Sequence, residues 1–141
     1  IGRNVDYAVC MEGSLKLKEV SYIHSESYAA GELKHGTISL IDEDVPVIAV
    51  ATQTGIIPKT ISNVVEVKSR GAKVILVCTD ACARELKDGV ADYVIEIPHT
   101  DELLMPITAV VPLQILAYYT SINRGIDPDK PKNLAKSVTV E

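Results

Sequence analysis

Phenylalanine and tryptophan are absent from the 141 residues, and cysteine occurs only three times. Without large apolar rings, the interior must be filled by Val, Ile, Leu and Ala, which supply most of the 47% hydrophobic content. An odd number of cysteines without a regular spacing does not indicate a disulfide framework. Cys78 and Cys82 alone do not complete a zinc site. We therefore predict no metal and a reducing, cytoplasmic compartment.

A surplus of basic residues is also absent, because the net charge is −5. Nucleic-acid-binding proteins usually carry a basic face, so we predict no nucleic-acid partner. The sequences GxGxxG and GxxxxGKS/T do not occur, which leaves a dinucleotide site or a phosphate-binding P-loop without support. There is no signal peptide and no uninterrupted apolar run long enough to cross a bilayer, so we expect no membrane association.

Short Val- and Ile-rich runs alternate with helical patterns along the chain. This alternation is typical of an α/β domain, and we predict a doubly wound, mostly parallel sheet of about four or five strands with helices on both faces. The length fits a single domain, residues 1–141, with a tail at about 125–141. The predicted strands are 45–51, 73–78 and 93–97, and the predicted helices are 6–23, 61–70 and 106–124, with shorter helical stretches at 26–35 and 80–89.

The first residues, Ile1-Gly2-Arg3, begin without a methionine and are too few to form an ordinary strand. We therefore expect the chain to be a fragment of a larger protein whose first strand is cut short. Asp6 follows at a position where it can cap the first helix, since aspartate is a favoured N-cap residue.

The first predicted helix carries a charged triad. At about 100° per residue, Glu12, Lys16 and Glu19 share a sector of about 60°, and spacings of four and three residues make them stacked neighbours. An exposed, salt-bridged face is one interpretation of such a stripe. Apolar side chains flank this one, however, so we predict that the triad faces a cleft. A more polar face is predicted to meet solvent, and it carries Ser14, Lys18 and Ser21.

The triad offers acid–base chemistry. A carboxylate beside a cation and apolar neighbours can be tuned for proton transfer, so Glu19 is the candidate general base. Lys16 can hold Glu19 ionised or stabilise negative charge that develops on a substrate.

His35 lies in a loop bounded by Gly31 and Gly36, which permit close approach of the backbone. Histidine titrates near neutral pH, so His35 is a candidate for moving a proton, with an ordinary surface histidine as the alternative. His24 and His99 have no supporting context, and we interpret both as structural.

Lys136 lies five residues from the carboxyl terminus, in a tail with apolar anchors at Leu134, Ala135 and Val138. A lysine held in a pocket and partly desolvated can attack a carbonyl and form a Schiff base. The alternative is a solvated lysine on a disordered end. Composition alone favours the solvated lysine.

Three separated segments together resemble one family. Residues 12–19, 28–36 and 133–141 closely resemble, in the correct order, the isomerase region of the glutamine–fructose-6-phosphate aminotransferases. The resemblance covers essentially the whole chain and points to the second of the two sugar isomerase (SIS) domains in that family.

The resemblance implies roles for individual residues. Lys136 matches the lysine that forms an imine with the open-chain ketose. Glu19 matches the base that moves a proton between C1 and C2, and Lys16 and Glu12 match the polar residues that support it. It implies fructose 6-phosphate and glucosamine 6-phosphate as ligands, and neither a metal nor an organic cofactor.

The resemblance also implies partners. His35 matches a histidine that assists opening of the sugar ring and reaches the site of a neighbouring subunit, so a homodimer is expected. Ala135 would contact the sugar through its backbone. The glutaminase domain and the first SIS domain, which carries the phosphate-binding loop, are not in this sequence, so we expect the fragment alone to be inactive.

Two other functions remain open from the sequence. One is an SIS-type amino-sugar phosphate deaminase or deglycase, which runs related chemistry toward hydrolysis. The other is a non-catalytic module that binds a sugar phosphate and regulates a partner. Such a module need not keep Glu19, His35 and Lys136 together, and all three are present.

Overall fold

Three parallel strands form the centre of the computed structural model, which describes residues 1–132. They are β1 (Pro46–Ala51), β2 (Lys73–Thr79) and β3 (Tyr93–Ile97), arranged in the order β1-β2-β3. β2 is central, and its Val74 and Leu76 are fully buried. Runs of β-branched and aliphatic residues suit a strand covered on both faces, and the predicted mostly parallel α/β sheet is confirmed.

Helices cover both faces of the sheet, as predicted. On one face α1 (Val5–Ser21) packs against α4 (Met105–Asn123), and the two close over a core that includes Val50, Val77 and Leu113. These helices contact each other more extensively than any other pair of elements.

The opposite face is covered by α2 (Ile57–Lys68), with the short α3 (Asp80–Glu85) beside it. Two 3-10 turns, Ala30–His35 and Thr37–Leu40, follow α1 and lead toward β1. Leu33 of the first turn is buried in the core of this face.

The predicted number of four or five strands is wrong for the described part of the chain, which has three. The chain start nevertheless pairs with the edge of β1. The amino group of Ile1 donates to the carbonyl of Ile48 at 2.6 Å, and the amide of Val50 donates to the carbonyl of Ile1 at 3.0 Å. Two residues are too few to be assigned as a strand, and this accounts for part of the difference.

The predicted capping role of Asp6 is also wrong. Asn4 precedes α1, and Asp6 lies inside the first turn, where it is only 2% exposed. Its carboxylate accepts hydrogen bonds from the Thr52 amide at 2.8 Å and the Thr52 hydroxyl at 2.5 Å. The carboxylate therefore ties α1 to the carboxyl end of β1.

The orientation of α1 differs from the predicted one. Ser14 and Ser21, expected on the solvent face, are buried, whereas Met11 and Leu15 are exposed. The reason is the close approach of α4. A Cβ at Gly13 would lie 2.6 Å from the Cδ1 of Leu113, so small residues line the packed side of α1.

α4 is the most apolar helix of the fold. It carries Pro106 in its first turn and Pro112 in its interior. By length and composition alone it passes the test for a membrane span, and 28% of the window is buried. The buried helices of a globular core pass the same test. The outward side of α4 exposes Ile107, Val111 and Ile115.

Candidate active site

The charged triad forms as the helical spacing predicts. The ammonium of Lys16 lies 2.6 Å from Glu19 Oε2 and 3.4 Å from Glu12 Oε1. The side chains of Glu12, Lys16 and Glu19 are 41%, 31% and 27% exposed, respectively. The three groups are therefore half-buried, with Glu19 the most sheltered.

The electrostatics of the triad keep its lysine charged. The hydrogen bond to Glu19 raises the pKa of Lys16, and the charge of Glu12 adds to the rise. Lys16 is therefore a permanent cation between two carboxylates at neutral pH. A carboxylate held by such a cation keeps one oxygen in a fixed place and the other available for a proton.

The triad lines neither of the two cavities seen in residues 1–132, and the cleft around it remains a prediction. A cavity of about 600 Å³ does lie beside α1, but it faces the other side of the helix. Cys10, Ser14 and Leu17 line it, together with Leu113 of α4 and Val47 of β1. The triad itself faces away from this cavity.

His35 ends the first 3-10 turn, away from the triad. Its side chain is 75% exposed, and its Nε2 lies 3.8 Å from Glu32 Oε2. No hydrogen bond or ion pair joins it to Glu12, Lys16 or Glu19 within the described residues. The structure therefore brings the triad together and leaves His35 apart from it.

Both glycines that flank His35 lie where a residue with a side chain would be disfavoured. A Cβ at Gly31 would come within 3.0 Å of the Arg3 guanidinium. Gly36 has φ of +141°, a conformation that side chains rarely allow. The close approach of backbone predicted at these glycines is not seen, because the neighbour of Gly31 is a side chain and a Cβ at Gly36 would meet no atom within 4 Å.

Lys136 and Ala135 lie outside the described residues, which end at Lys132. Their predicted roles remain predictions. Within residues 1–132, no group of three or more His, Cys, Asp or Glu side chains could hold a metal ion.

Two features near the carboxyl end of β1 and the end of α1 were missed by sequence reasoning. Burial raises the pKa of Asp6, although its bonds to Thr52 oppose the rise. Tyr22 follows α1 in a left-handed backbone conformation, with φ of 55°. No local pattern marks either residue, because the partners of both lie far along the chain.

Comparison with known proteins gives one family. Residues 1–124 match the SIS domain family. A glutamine–fructose-6-phosphate aminotransferase (isomerizing) of Clostridium perfringens is 57% identical over all 141 residues, which correspond to 23% of that protein. The chain thus spans about a quarter of the length of the curated relatives it matches. The resemblance stated from the sequence segments is confirmed.

Solved structures of two related proteins share the fold of this chain. The C-terminal domain of glucosamine-fructose-6-phosphate aminotransferase from Francisella tularensis superposes with a TM-score of 0.86 at 40% identity, covering 92% of this chain and 36% of that one. Glucosamine-6-phosphate deaminase from Thermotoga maritima superposes with a TM-score of 0.74 at 29% identity, covering 99% and 39%.

Proposed function

Because the chain belongs to the SIS domain family, we propose that it is the carboxyl-terminal sugar isomerase domain of a glutamine–fructose-6-phosphate aminotransferase. Residues 1–141 form one such domain, with the tail at about 125–141 belonging to its site. The observation that carries the proposal is the preformed Glu12–Lys16–Glu19 triad in a chain 57% identical, over its whole length, to an aminotransferase of that name.

The proposed reaction converts fructose 6-phosphate and glutamine-derived ammonia into glucosamine 6-phosphate and water. The ring of the sugar opens, and the amine of Lys136 condenses with the C2 carbonyl to form an imine with loss of water. Ammonia then replaces the lysine at C2. Transfer of a proton from C1 to C2, with passage of the O1 hydroxyl proton to the nitrogen, yields the amino-aldose.

Glu19 is the proposed base for the C1–C2 transfer. Its carboxylate is the most sheltered of the triad, and the Lys16 ammonium fixes one of its oxygens at 2.6 Å. A carboxylate fixed in this way loses little freedom when it takes the proton. Lys16 also offers positive charge where an enolate-like intermediate gathers negative charge. Glu12, at 3.4 Å from that cation, supports its position.

His35 is the proposed acid–base group for ring opening, acting in the site of a second subunit. Its separation from the triad and its exposure support a role outside its own domain. The proposed assembly is therefore a homodimer in the cytoplasm, in which each subunit also carries a glutaminase domain and a first SIS domain. Ala135 would contact the sugar through its backbone.

An amino-sugar phosphate deaminase is the second candidate, since the deaminase of Thermotoga maritima shares the fold at 29% identity over nearly the whole chain. The aminotransferase of Francisella tularensis is more similar, at 40%. The two functions differ in whether glutamine supplies the nitrogen, so product formation from glutamine and fructose 6-phosphate separates them.

Reductive trapping tests the central step of the proposal. Borohydride added to the whole protein with fructose 6-phosphate should reduce the imine to a stable secondary amine on Lys136, detected by peptide mass spectrometry. Lys136→Arg keeps the positive charge but cannot readily lose a proton, so trapping and turnover should both disappear while the fold is retained.

The matched control is Lys130→Arg, a change at an exposed lysine near the end of the described chain. It should leave trapping intact. An adduct on a different lysine, or undiminished turnover in Lys136→Arg, would overturn the assignment.

A further inference from the structure

Two cysteines lie close together where β2 passes into α3. Cys78 is the last residue but one of β2, and Cys82 lies in the first turn of α3. Both are free thiols in the same core cluster, and their residues are 0% and 5% exposed, respectively. The proposed isomerase chemistry uses neither of them.

The start of α3 brings the two side chains into contact. The amide of Cys82 donates to Thr79 Oγ1 at 3.3 Å, so Thr79 caps the helix and the first turn folds back over the end of the strand. Cys78 comes directly before this cap, and its thiol shares a hydrogen bond with that of Cys82. A disulfide requires the sulfurs to approach to about 2.05 Å, which is a small movement for thiols already in contact.

The contact makes the two thiols unequal. The hydrogen bond between them raises the pKa of Cys78, and burial adds to the rise. The same hydrogen bond lowers the pKa of Cys82, although burial opposes the change. The thiolate is the form of cysteine that reacts with oxidants. Cys82 is therefore the more reactive thiol, and Cys78 is placed to attack it once it is oxidised.

The third cysteine offers a comparison within the same chain. Cys10 lies in α1 and is 7% exposed, so it is about as buried as Cys82. It belongs to the core cluster on the other face of the sheet and is therefore separated from the other two cysteines. Burial raises the pKa of Cys10. Its thiol should resist oxidation for both reasons.

The cover over Cys82 is also weaker than the cover over Cys10. α3 has six residues, and Ala81, Arg84 and Glu85 are exposed. So short a helix is marginal by itself, and segments with few buried contacts open at a low free energy. Opening of α3 alone exposes Cys82, whereas exposure of Cys10 requires α1 to part from the helix it packs against most extensively.

We propose that Cys78 and Cys82 form a redox-sensitive dithiol that a hydroperoxide converts into an intramolecular disulfide. The Cys82 thiolate attacks the peroxide, so that a sulfur–oxygen bond forms, the oxygen–oxygen bond breaks and hydroxide leaves. The Cys78 sulfur then attacks the Cys82 sulfur and displaces the second oxygen, which leaves as water with the Cys78 proton. Two thiols and one hydrogen peroxide thus give one disulfide and two waters, and a dithiol reductant reverses the change.

Peptide mapping of the folded whole protein tests the proposal. After treatment with hydrogen peroxide, alkylation and digestion with trypsin, Cys78 and Cys82 fall in peptide 74–84 and Cys10 in peptide 4–16. Peptide 74–84 should lose two hydrogens and both alkylation sites about tenfold faster than Cys10 is oxidised, and dithiothreitol should restore both sites. Absence of the disulfide from peptide 74–84, or oxidation of Cys10 at the same rate, would overturn the proposal.

Serine variants separate the roles of the two thiols. Cys78→Ser removes the thiol that traps the sulfenic acid, so Cys82 should proceed to the sulfinic acid, which dithiothreitol does not reverse. In Cys82→Ser, Cys78 should stay reduced. Cys10→Ser is the matched control and should leave disulfide formation unchanged. Equal oxidation of the remaining thiol in the first two variants would contradict the assignment of Cys82 as the attacking thiol. The measurement on the unmodified protein decides the disulfide itself, whether or not a variant folds.

Discussion

Two clusters of lysine and carboxylate groups in this chain look alike in composition and differ in what they connect. In the first, Glu12, Lys16 and Glu19 all come from α1, three or four residues apart. In the second, the Asp92 carboxylate accepts from Lys68 at 2.5 Å and lies 3.3 Å from the Lys73 ammonium. The second cluster joins α2, β2 and the segment before β3.

The Asp92 cluster holds the fold together. The same carboxylate oxygen that meets Lys68 accepts the backbone amide of Val74 at 2.7 Å, so it closes contacts across 24 and 18 residues. Among residues 1–132 the triad on α1 closes no such contact, because its ion pairs lie within one helix. A half-buried charge cluster without a structural task is a better candidate for chemistry than one that joins three elements.

Of these changes, Glu19→Gln in the whole protein should lower the rate of proton transfer most. Loss of a general base lowers proton transfer by roughly a hundredfold or more, whereas loss of a local ion pair changes the free energy of unfolding by less than about 1 kcal/mol. Sugar binding should be kept. Solvent-deuterium exchange at C1 measures the proton transfer, with Glu102→Gln, in an exposed loop, as the control. Near-normal exchange in Glu19→Gln would remove Glu19 from the role.

Asp92→Asn should do the opposite of Glu19→Gln, lowering stability and leaving turnover nearly unchanged. The amide cannot hold two ammonium groups and a backbone amide as a carboxylate does, so the melting temperature should fall while turnover at moderate temperature stays near normal. Calorimetry checks the first effect, with Asp88→Asn as the exposed control. A large loss of turnover at unchanged stability would break the distinction between the clusters.

Acid should weaken the Asp92 cluster selectively. The hydrogen bond from Lys68, followed by that from the Val74 amide, lowers the pKa of Asp92 in the folded state. An unfolded aspartate titrates near pH 4. In the acid range the unfolded state therefore binds more protons, and the stabilisation by Asp92, complete above that range, is lost as the pH falls through it. The difference in melting temperature between the unmodified protein and Asp92→Asn should shrink from about pH 6 to about pH 3. A constant difference would contradict the linkage.

Glu12→Gln should have the smallest effect. Glu12 is the most exposed member of the triad and lies 3.4 Å from Lys16, an arrangement worth at most about 0.5 kcal/mol. Turnover should fall only a few-fold, because Glu19 still holds Lys16. A loss as large as that of Glu19→Gln would show that the two carboxylates act together.

Much of the fold could be predicted because its strands are continuous Val- and Ile-rich runs. The third strand was placed at its observed bounds, Tyr93–Ile97, and the first was one residue too long. The face that α1 turns toward the core could not be predicted in this way. Periodicity places large apolar residues inward, but Gly13 lets α4 come so close that small residues face the core and Met11 and Leu15 face outward.

The site was predictable to the extent that it is local. Spacing along one helix is enough to bring Glu12, Lys16 and Glu19 together. The bond of Asp6 to Thr52 and that of Tyr22 to Lys132 depend on tertiary structure, across 46 and 110 residues. The proposed partner of His35 belongs to another subunit, a relation that spacing within one chain does not encode.

The absence of a side chain at Gly13 affects how precisely α1 is positioned against α4. A single methyl group there would collide with Leu113, at 2.6 Å from its Cδ1 and 3.0 Å from its Cβ, so either the Leu113 side chain or α1 would have to shift. The same helix carries Glu12 next to Gly13 and Lys16 three residues further on, so any shift of α1 would move both residues. A shift of about 1 Å in a catalytic group can cost about a hundredfold in rate. The absence of a side chain at position 13 therefore sets the distance between α1 and α4, and with it the position of the carboxylates in the proposed chemistry.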